Sequence, residues 1–404
     1  MKKPELLIPA GNLEKLKIAC IYGADAVFLG GYEFGLRSNS DNFSYEEIKE
    51  GCQIAKEYGV KVYVTTNIFA HEENFEGFKE FVVHLQACGV TGIIVSDPGY
   101  IHICKQYAPE LEIHISTQHS ITNYQAVNYY QSLGASRVVL ARELSFDEIN
   151  DIVDHTDCEI EIFIHGAVCS SYSGRCTLSN HMTSRDSNRG GCCQSCRWDY
   201  QLMKKDNDQI IPVSLSEEET AFNMSAKDMD TLNYLPQILE LGVDSLKVEG
   251  RMKTYHYVAT VTKVYRQAID SYYQDPDNFK VKDEWLEELE KAASRETYIG
   301  AFIGDLGIED QIYNEQYKPA SNIDFVGMVV NYQDGYIKVE QRNCFCKGDN
   351  IEILTPNSDN ITFSIDQMYN KDGELIDRAN HPLMEVYIPY EVSIPNYSMI
   401  RKIK

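Results

Sequence analysis

The sequence has no long apolar stretch and lacks the features of an export signal. Its 404 residues contain no run that approaches the ~20 apolar residues needed to span a bilayer. The N-terminal segment carries two lysines but not the apolar core of a signal peptide. We therefore predict a cytoplasmic protein that does not interact with membranes.

Positive charge is scarce, except in one segment. Lysine and arginine total 37 against 61 acidic residues, so the net charge is −24. Such a chain is not expected to cover nucleic acid with its whole surface. Between residues 165 and 205, however, six basic side chains face only two acidic ones, a local excess of +4. This excess indicates an anionic ligand, and chance clustering is the alternative.

Several common catalytic motifs are absent. The chain has no His-Glu-x-x-His, no Gly-x-Ser-x-Gly, and no Gly-x-Gly-x-x-Gly after its first predicted strand. The first two absences argue against a helix-borne zinc protease and a nucleophile elbow. The third weakens the case for a dinucleotide-binding open sheet.

Short apolar runs alternate with longer segments of helical periodicity. This alternation predicts parallel strands with right-handed crossovers. Eight such units favour a closed TIM-like (β/α)8 barrel over a doubly wound open sheet. We assign the barrel to residues 1–320. Its predicted strands cover residues 5–8, 25–29, 60–65, 92–96, 112–116, 137–141, 159–164 and 244–248.

Two further regions depart from this alternation of strands and helices. A cysteine-rich insertion of about residues 166–243 follows the seventh strand, and a hairpin is predicted in it between residues 210–215 and 220–224. Loops that follow barrel strands lie on the face where active sites form. From residue 321 to 404, short β-rich runs and turns predict a small all-β barrel domain.

The cysteines are unevenly distributed, since five of the twelve lie between Cys169 and Cys196. Four thiolates on a glycine-rich loop suit a soft metal. An iron–sulfur cluster is the favoured interpretation, because clusters are commonly held by four cysteines. Structural zinc is the alternative, although Cys193 and Cys196 form only one Cys-x2-Cys pair. A nucleophilic cysteine with a histidine partner is also considered. The other seven are predicted to be small core residues: Cys20, Cys52, Cys88, Cys104, Cys158, Cys344 and Cys346.

The cysteine segment and its surroundings resemble a known family. The matching motifs are Glu161-Ile-Phe, Gly166-Ala-Val-Cys, Ser173-Gly-Arg-Cys, Leu178-Ser and Lys247-Val-Glu-Gly-Arg-Met-Lys. In these motifs the chain resembles peptidase family U32, the collagenase-like peptidases of unassigned catalytic type. The resemblance extends over nearly the whole chain.

Within this family the chain is most similar to members that hydroxylate carbon 5 of the wobble uridine in tRNA. The resemblance implies prephenate as co-substrate, the tRNA anticodon loop as partner and a family paralogue as a further partner subunit. It also implies a 4Fe-4S cluster. A U32-type peptidase and a non-catalytic scaffold stapled by its metal remain alternatives.

The resemblance implies three cluster ligands and leaves the fourth open. Many family members carry a cysteine after a Lys-Asp-Leu motif, whereas here Asp230 follows Lys227-Asp-Met. The implied ligands are Cys169, Cys176, Cys192 and one of Cys196, Cys193 and Asp230.

Polar residues at strand ends are the other candidates, because strand ends face the barrel mouth. Arg142 could clamp a carboxylate together with Arg251, or it could pair with Glu143. Lys247 and Glu249 alternate to one side of an extended strand and could pair with each other or contact substrate. The candidate catalytic residues are His165, Arg142, Glu143, Lys247 and Glu249. The candidate substrate-binding residues are Gln118, Arg175, Arg185, Arg189, Arg251 and Lys253.

Overall fold

A computed structural model describes residues 2–36, 42–201, 203–206, 209–212, 221–222, 224–304, 306–307, 311–312 and 322–404. Eight parallel strands close into a barrel, because the eighth strand is hydrogen-bonded to both the seventh and the first. The strands are β1 (Glu5–Pro9), β2 (Ala26–Gly30), β3 (Lys61–Thr66), β4 (Gly92–Val95), β5 (Glu112–Ile115), β6 (Arg137–Val139), β7 (Glu159–Ala167) and β8 (Ser245–Val248). The predicted TIM-like barrel is confirmed.

Helices surround the barrel and begin at caps that the sequence encodes. Ser44 and Ser145 each accept a hydrogen bond from the third residue of a helix, and Glu47 and Glu148 return the contact in capping boxes. No helix in the described part of the chain is long and apolar enough to cross a membrane. The helices are Leu13–Ile21, Tyr45–Glu57, Phe78–Cys88, Pro98–Tyr107, Tyr124–Leu133, Phe146–Asp154, Leu178–Thr183, Leu235–Glu240, Tyr255–Gln274 and Asp283–Ala292.

The period of two along each strand divides the buried residues between two layers. Leu6 and Ile8 join the large core between the strands and the helices, whereas Leu7 lies in a separate small cluster. That inner cluster also contains Phe28 and Tyr63 from the neighbouring strands. The inside of the barrel is therefore filled by side chains and is not an open channel.

The insertion returns to the barrel beside β7. Its strand Asp228–Asp230 pairs antiparallel with β7 and parallel with Thr297–Tyr298. The predicted hairpin is wrong in its pairing, because Gln209–Pro212 pairs with Met203–Asp206 and Ala221–Phe222 pairs with Tyr200–Gln201. Residues 213–220 and 223, which include part of that prediction, lie outside the described residues.

The C-terminal region forms an antiparallel sheet with its own apolar core. Val326, Val339, Ile353 and Ile400 belong to this second core. The predicted boundary at residues 320 and 321 lies outside the described residues. In spatial order, the seven strands of the sheet are Ile361–Ser364, Asn350–Leu354, Met399–Ile403, Ile323–Gln333, Tyr336–Gln341, Glu385–Pro389 and Tyr369–Asn370.

Candidate active site at the barrel mouth

A cavity of about 300 Å³ lies where the carboxyl ends of the barrel strands meet the cysteine-rich insertion. Its floor includes Phe28 of β2, Thr65 of β3, Phe163 of β7 and Lys247 of β8. Its wall comes from residues of the insertion. Because barrel enzymes carry their catalytic residues at this end, the cavity is the candidate active site.

Four of the five clustered cysteines line this one cavity. They are Cys169, Cys176, Cys192 and Cys196. The fifth, Cys193, is outside the lining, and its sulfur lies 3.4 Å from Thr183 Oγ1 and 3.4 Å from the Gly191 carbonyl oxygen. Neighbouring cysteines in the sequence therefore face different surroundings.

Hydrogen bonds from short polar side chains hold the cysteine loop in this arrangement. Ser187 Oγ and Asn188 Nδ2 both donate to the Cys176 carbonyl oxygen, at 2.6 and 2.9 Å. The Asn188 carbonyl oxygen accepts from the backbone N–H of Phe69 at 3.0 Å, which ties the loop to the segment after β3. Gly174 has a φ of +74°, and a β-carbon there would lie 2.3 Å from the Gln118 carbonyl oxygen. Only glycine permits this close approach.

Cys176 and Cys196 are half-buried, whereas Cys169 and Cys192 are exposed. Burial raises the pKa of the Cys196 thiol, and the nearby thiols of Cys169 and Cys192 raise it further. Among the described residues, which include all five clustered cysteines, no group of three or more His, Cys, Asp or Glu side chains stands close enough to hold a metal ion. The four cysteines thus share a cavity without forming a closed single-ion site.

Arg142 and Glu143 follow β6 and point to different partners. The Arg142 guanidinium lies 3.8 Å from the centre of the Phe163 ring and donates to the Ala167 carbonyl oxygen at 2.9 Å. Glu143 Oε1 instead accepts from the backbone N–H of Ser173 at 2.8 Å. Both residues line the cavity. Glu143 therefore fixes the start of the cysteine loop, while Arg142 brings positive charge to the cavity.

Arg251 brings a second, nearly buried guanidinium to the cavity. Its exposed fraction is 4%, and its Nη2 donates to Asn42 Oδ1 at 2.6 Å. A β-carbon on Gly30 would lie 2.5 Å from Arg251 Nη1, so the guanidinium fits only because position 30 has no side chain. Sequence reasoning missed both Asn42 and Gly30, since neither stands near a cysteine or in a motif.

Lys247 is held by a buried carboxylate. Its Nζ donates to Glu161 Oε1 at 2.7 Å, and Arg137 Nη1 donates to the other oxygen at 3.2 Å. Burial opposes ionisation of Glu161, but the charges of Lys247 and Arg137 lower its pKa to about 2. Lys247 and Glu249 both line the cavity, although the register of β8 against β7 shifts after Lys247.

Glu249 lies in the cavity lining beside Arg142. Its Oε2 is 4.0 Å from Arg142 Nη2, which joins the ends of β6 and β8. Its backbone carbonyl oxygen accepts from Tyr257 O–H at 2.8 Å. Tyr257 was not a candidate from sequence, where it is one of 27 tyrosines.

His165 and Asp230 form a buried cluster behind the cavity, outside its lining. His165 Nδ1 lies 3.8 Å from Asp230 Oδ1 and 3.4 Å from the hydroxyl of Tyr265. Burial alone would raise the pKa of Asp230, but the nearby His165 lowers it. Asp230 therefore lies beside the histidine and outside the lining that the four cysteines share.

The remaining candidates are divided between the cavity and the surface. Gln118 lines the cavity. Lys253 donates to Asp228 Oδ2 at 3.0 Å, and Arg189 Nη2 donates to Glu73 Oε1 at 2.6 Å. Lys253 and Arg189 therefore each form an ion pair, and neither lines the cavity. The two exposed candidates are Arg175 and Arg185.

These features define a (β/α)8-barrel protein with a cysteine-lined, cationic cavity at its mouth. The model of the peptidase family U32 matches residues 11–311, and that of the U32 C-terminal domain matches residues 321–401. The chain belongs to peptidase family U32.

Three relatives illustrate the range of this family. The chain is 52% identical over 403 residues to the tRNA hydroxylation protein P1 of Bacillus subtilis, with 99% of this chain and 95% of the relative covered. It is 34% identical over 359 residues to an Escherichia coli 23S rRNA 5-hydroxycytidine synthase, with 87% of this chain and 52% of the relative covered. It is 32% identical over 314 residues to a Porphyromonas gingivalis protein named collagenase, with 74% of this chain and 73% of the relative covered.

Proposed function

We propose that this chain is a cytoplasmic RNA hydroxylase that acts on carbon 5 of the wobble uridine in tRNA, with prephenate as co-substrate. One observation carries the proposal: four cysteines of one loop line the same cavity as Arg142, Lys247 and Arg251. Thiolates suit an iron–sulfur cluster, and the cations suit an anionic co-substrate. The names of two relatives, one acting on tRNA and one on rRNA, support the choice of RNA.

A 4Fe-4S cluster would be held by Cys169, Cys176, Cys192 and Cys196. Cys196 is preferred as fourth ligand because it lines the cavity, whereas Cys193 contacts Thr183 and Asp230 contacts His165. The loop must draw the four sulfur atoms closer on binding, which is usual because metal binding and local folding are coupled. Such a cluster supplies one-electron chemistry or organises the loop. Zinc is the alternative occupant.

The cavity has the charge and shape for a small dicarboxylate with an apolar ring. Arg142 and Arg251 each offer a guanidinium, and guanidinium groups bind carboxylates in a bidentate manner. Phe28 and Phe163 give the same cavity two apolar walls. Prephenate has two carboxylates and a non-aromatic ring, so its chemistry matches both features.

The outer rim offers groups that bind single-stranded RNA. Arg175 and Arg185 are exposed, and so are the rings of Tyr172 and Trp198, at 49% and 42%. Bases in RNA loops stack on such rings, and phosphates pair with arginine. A wobble base in an anticodon loop is already unpaired, so it can enter a recessed cavity at low cost. A family paralogue is retained as a candidate partner subunit.

A peptidase is the second candidate, since one relative is named collagenase. Its chemistry would need a nucleophile beside a base. Among the described residues that line the cavity there is no histidine. A cysteine–histidine contact, Cys88 Sγ to His84 Nε2 at 3.2 Å, does exist, but it lies on a helix outside the cavity. A non-catalytic scaffold is the third candidate.

The test measures hydroxylated wobble uridine in tRNA from a strain that lacks this gene and any paralogue able to make the modification on its own. The strain is complemented with the natural chain, with Cys196→Ser or with Cys193→Ser. The natural chain and Cys193→Ser should restore the modification, and Cys196→Ser should not. Cys193 is the matched control because it is a neighbouring thiol outside the cavity.

Other outcomes would replace the proposal. Normal modification in the uncomplemented strain would contradict an RNA hydroxylase and favour the scaffold. Cleavage of gelatin by the purified, iron-free chain would favour the peptidase. Loss of rescue in both cysteine variants would contradict Cys196 as the specific fourth ligand.

A further inference from the structure

The aromatic residue of the Glu161-Ile-Phe163 motif contacts the cations of the cavity. Glu161 and Phe163 alternate along β7, so their side chains point to the same side of the strand. Both side chains are buried, and Phe163 lines the cavity. In the sheet, Phe163 is paired with Lys247 of β8. The motif therefore brings a carboxylate and an aromatic ring to the positively charged floor of the cavity.

The ring of Phe163 is covered by the guanidinium of Arg142. The central carbon of that guanidinium lies 3.8 Å from the ring centre, which is van der Waals contact. Arg142 Nη1 donates to the Ala167 carbonyl oxygen at 2.9 Å. The ring limits the movement of the guanidinium on one side, and the carbonyl oxygen anchors one of its edges. The guanidinium is thus held by two contacts, both with residues of β7.

The same ring lies near a second cation. Lys247 Nζ is 5.5 Å from the centre of the Phe163 ring and 4.6 Å from the centre of the Phe28 ring. Glu161 Oε1 balances the charge of Lys247, since it accepts from Nζ at 2.7 Å. Arg142 differs in this respect, because Glu249 Oε2 is 4.0 Å from its Nη2. The aromatic ring is therefore a closer neighbour of the Arg142 charge than that carboxylate oxygen is.

We propose that Phe163 is a positioning residue that holds Arg142 ready to bind a carboxylate of the co-substrate. The inference rests on the proposed function, in which the co-substrate is prephenate. The face of an aromatic ring is negatively polarised and attracts a guanidinium that lies over it. Stacking uses the flat face of the guanidinium, and its N–H groups, which lie in the plane, still donate to other partners. An arginine held in this way loses less side-chain freedom when the ligand binds.

An electrostatic role and a purely apolar role of the ring can be separated by fluorination. Fluorine withdraws electron density from the ring and so weakens the attraction between its face and a cation. The shape of the ring changes little. If Phe163 served only as an apolar wall, prephenate affinity would not follow the number of fluorine atoms. If the ring holds Arg142, the affinity should decrease as fluorine atoms are added.

The experiment replaces Phe163 with phenylalanine that carries one, three or five ring fluorines. Each variant is made as the full-length chain by suppression of an amber codon and is purified anaerobically, and urea unfolding identifies the variants that are folded. Prephenate affinity, measured by calorimetry, should fall stepwise by about three- to thirtyfold over the series. The KM for prephenate should rise in parallel, while kcat at saturating prephenate stays within about twofold, as expected when binding alone is weakened.

Phe28 is the matched control. It lines the same cavity but lies near Lys247, whose charge Glu161 already balances. The same fluorine series at position 28 should therefore change prephenate affinity much less than the series at position 163. In chains that also carry Arg142→Gln, the series at position 163 should lose most of its effect, because the ring acts through that guanidinium.

The possible outcomes separate this inference from the proposed function. Equal prephenate affinity across the Phe163 series, equal effects at positions 28 and 163, or an undiminished effect without Arg142 would overturn the role of Phe163 alone. A natural chain that does not bind prephenate would overturn the proposed co-substrate, and this inference with it.

Discussion

Gly30 leaves the space that the guanidinium of Arg251 occupies. A β-carbon at position 30 would stand 2.5 Å from Nη1 and 2.7 Å from Nη2 of Arg251. Asn42 Oδ1 accepts from the same Nη2 at 2.6 Å, so the group is held between the end of β2 and the following loop. One of the positive charges of the cavity thus depends on the absence of a side chain at position 30.

Replacing Gly30 with alanine should displace Arg251 and weaken binding of the proposed co-substrate, prephenate. Loss of one charge-assisted hydrogen bond costs about 1.5–3 kcal/mol, so prephenate affinity should fall at least about tenfold, as measured by calorimetry. Gly31→Ala is the matched control, since its β-carbon would approach the nearest atom, on the Phe81 ring, at 3.4 Å. Equal affinities of the two variants would show that Arg251 does not bind this ligand.

Replacing Lys247 with methionine should destabilise the barrel, because Glu161 would keep a buried carboxylate without its closest cation. Removing one partner of a buried pair costs about 3–5 kcal/mol, measurable by urea unfolding. The double change Glu161→Gln with Lys247→Met should recover most of that loss. If Lys247→Met left stability unchanged while abolishing activity, Lys247 would be a substrate group and not a structural cation.

Because of His256, the free energy of unfolding should decrease as pH drops below about 6.5. His256 is buried against Phe325 and accepts from Arg401 Nη1 at 3.3 Å; burial and the Arg401 charge lower its pKa from 6.5 to about 3. His256 is neutral in the native state. Between pH 6.5 and about 3 the unfolded state therefore binds a proton that the native state does not, which lowers the free energy of unfolding by about 1.4 kcal/mol per pH unit. Glu288 and Lys291 also face this ring.

The change His256→Gln keeps a hydrogen-bond acceptor without a titrating group. The difference in unfolding free energy between the natural chain and this variant should therefore shrink or reverse as pH falls from 6.5 towards 3. Glu288 is present in both proteins. Against the effect of burial, Arg401 lowers the pKa of Glu288 to about 2. Both proteins should therefore lose the same amount of unfolding free energy from this group as pH falls below 4.5. Parallel pH profiles would contradict a neutral His256.

Arg185 and Arg189 should differ in their effect on RNA binding. Arg185 is exposed, whereas Arg189 donates to Glu73 and Asn74. Removing a phosphate contact lowers the slope of log affinity against log salt by about one unit. Arg185→Gln should show this change in tRNA titrations, and Arg189→Gln should not. A larger change of slope for Arg189→Gln would reverse the assignment.

The eight barrel strands were predictable because each is an apolar run bounded by turn residues, and closure followed from their number. The position of the cysteine loop was also predictable, since loops after strands share one face of a barrel. Which of Cys193 and Cys196 lines the cavity was not predictable, because residues three apart can face different ways in irregular backbone. Their different surroundings depend on local hydrogen bonds, such as that between Cys193 Sγ and Thr183 Oγ1.

Pairing between strands was the other limit of sequence reasoning. Lys247 and Glu249 are two residues apart, yet Lys247 pairs with Glu161, which is 86 residues away. The partner could not be predicted without the register of β8 against β7, and that register shifts at Lys247 itself. Arg142 and Glu143 diverge for a related reason, because adjacent side chains at a strand end point in different directions.

The most direct test of a cysteine-bound cluster is the iron and sulfide content of anaerobically purified protein. The natural chain and Cys193→Ser should each hold about four irons and four sulfides per chain. Cys169→Ser, Cys176→Ser, Cys192→Ser and Cys196→Ser should each hold much less. Iron-free, colourless natural protein, or Cys193→Ser losing as much iron as Cys196→Ser, would contradict the proposed centre.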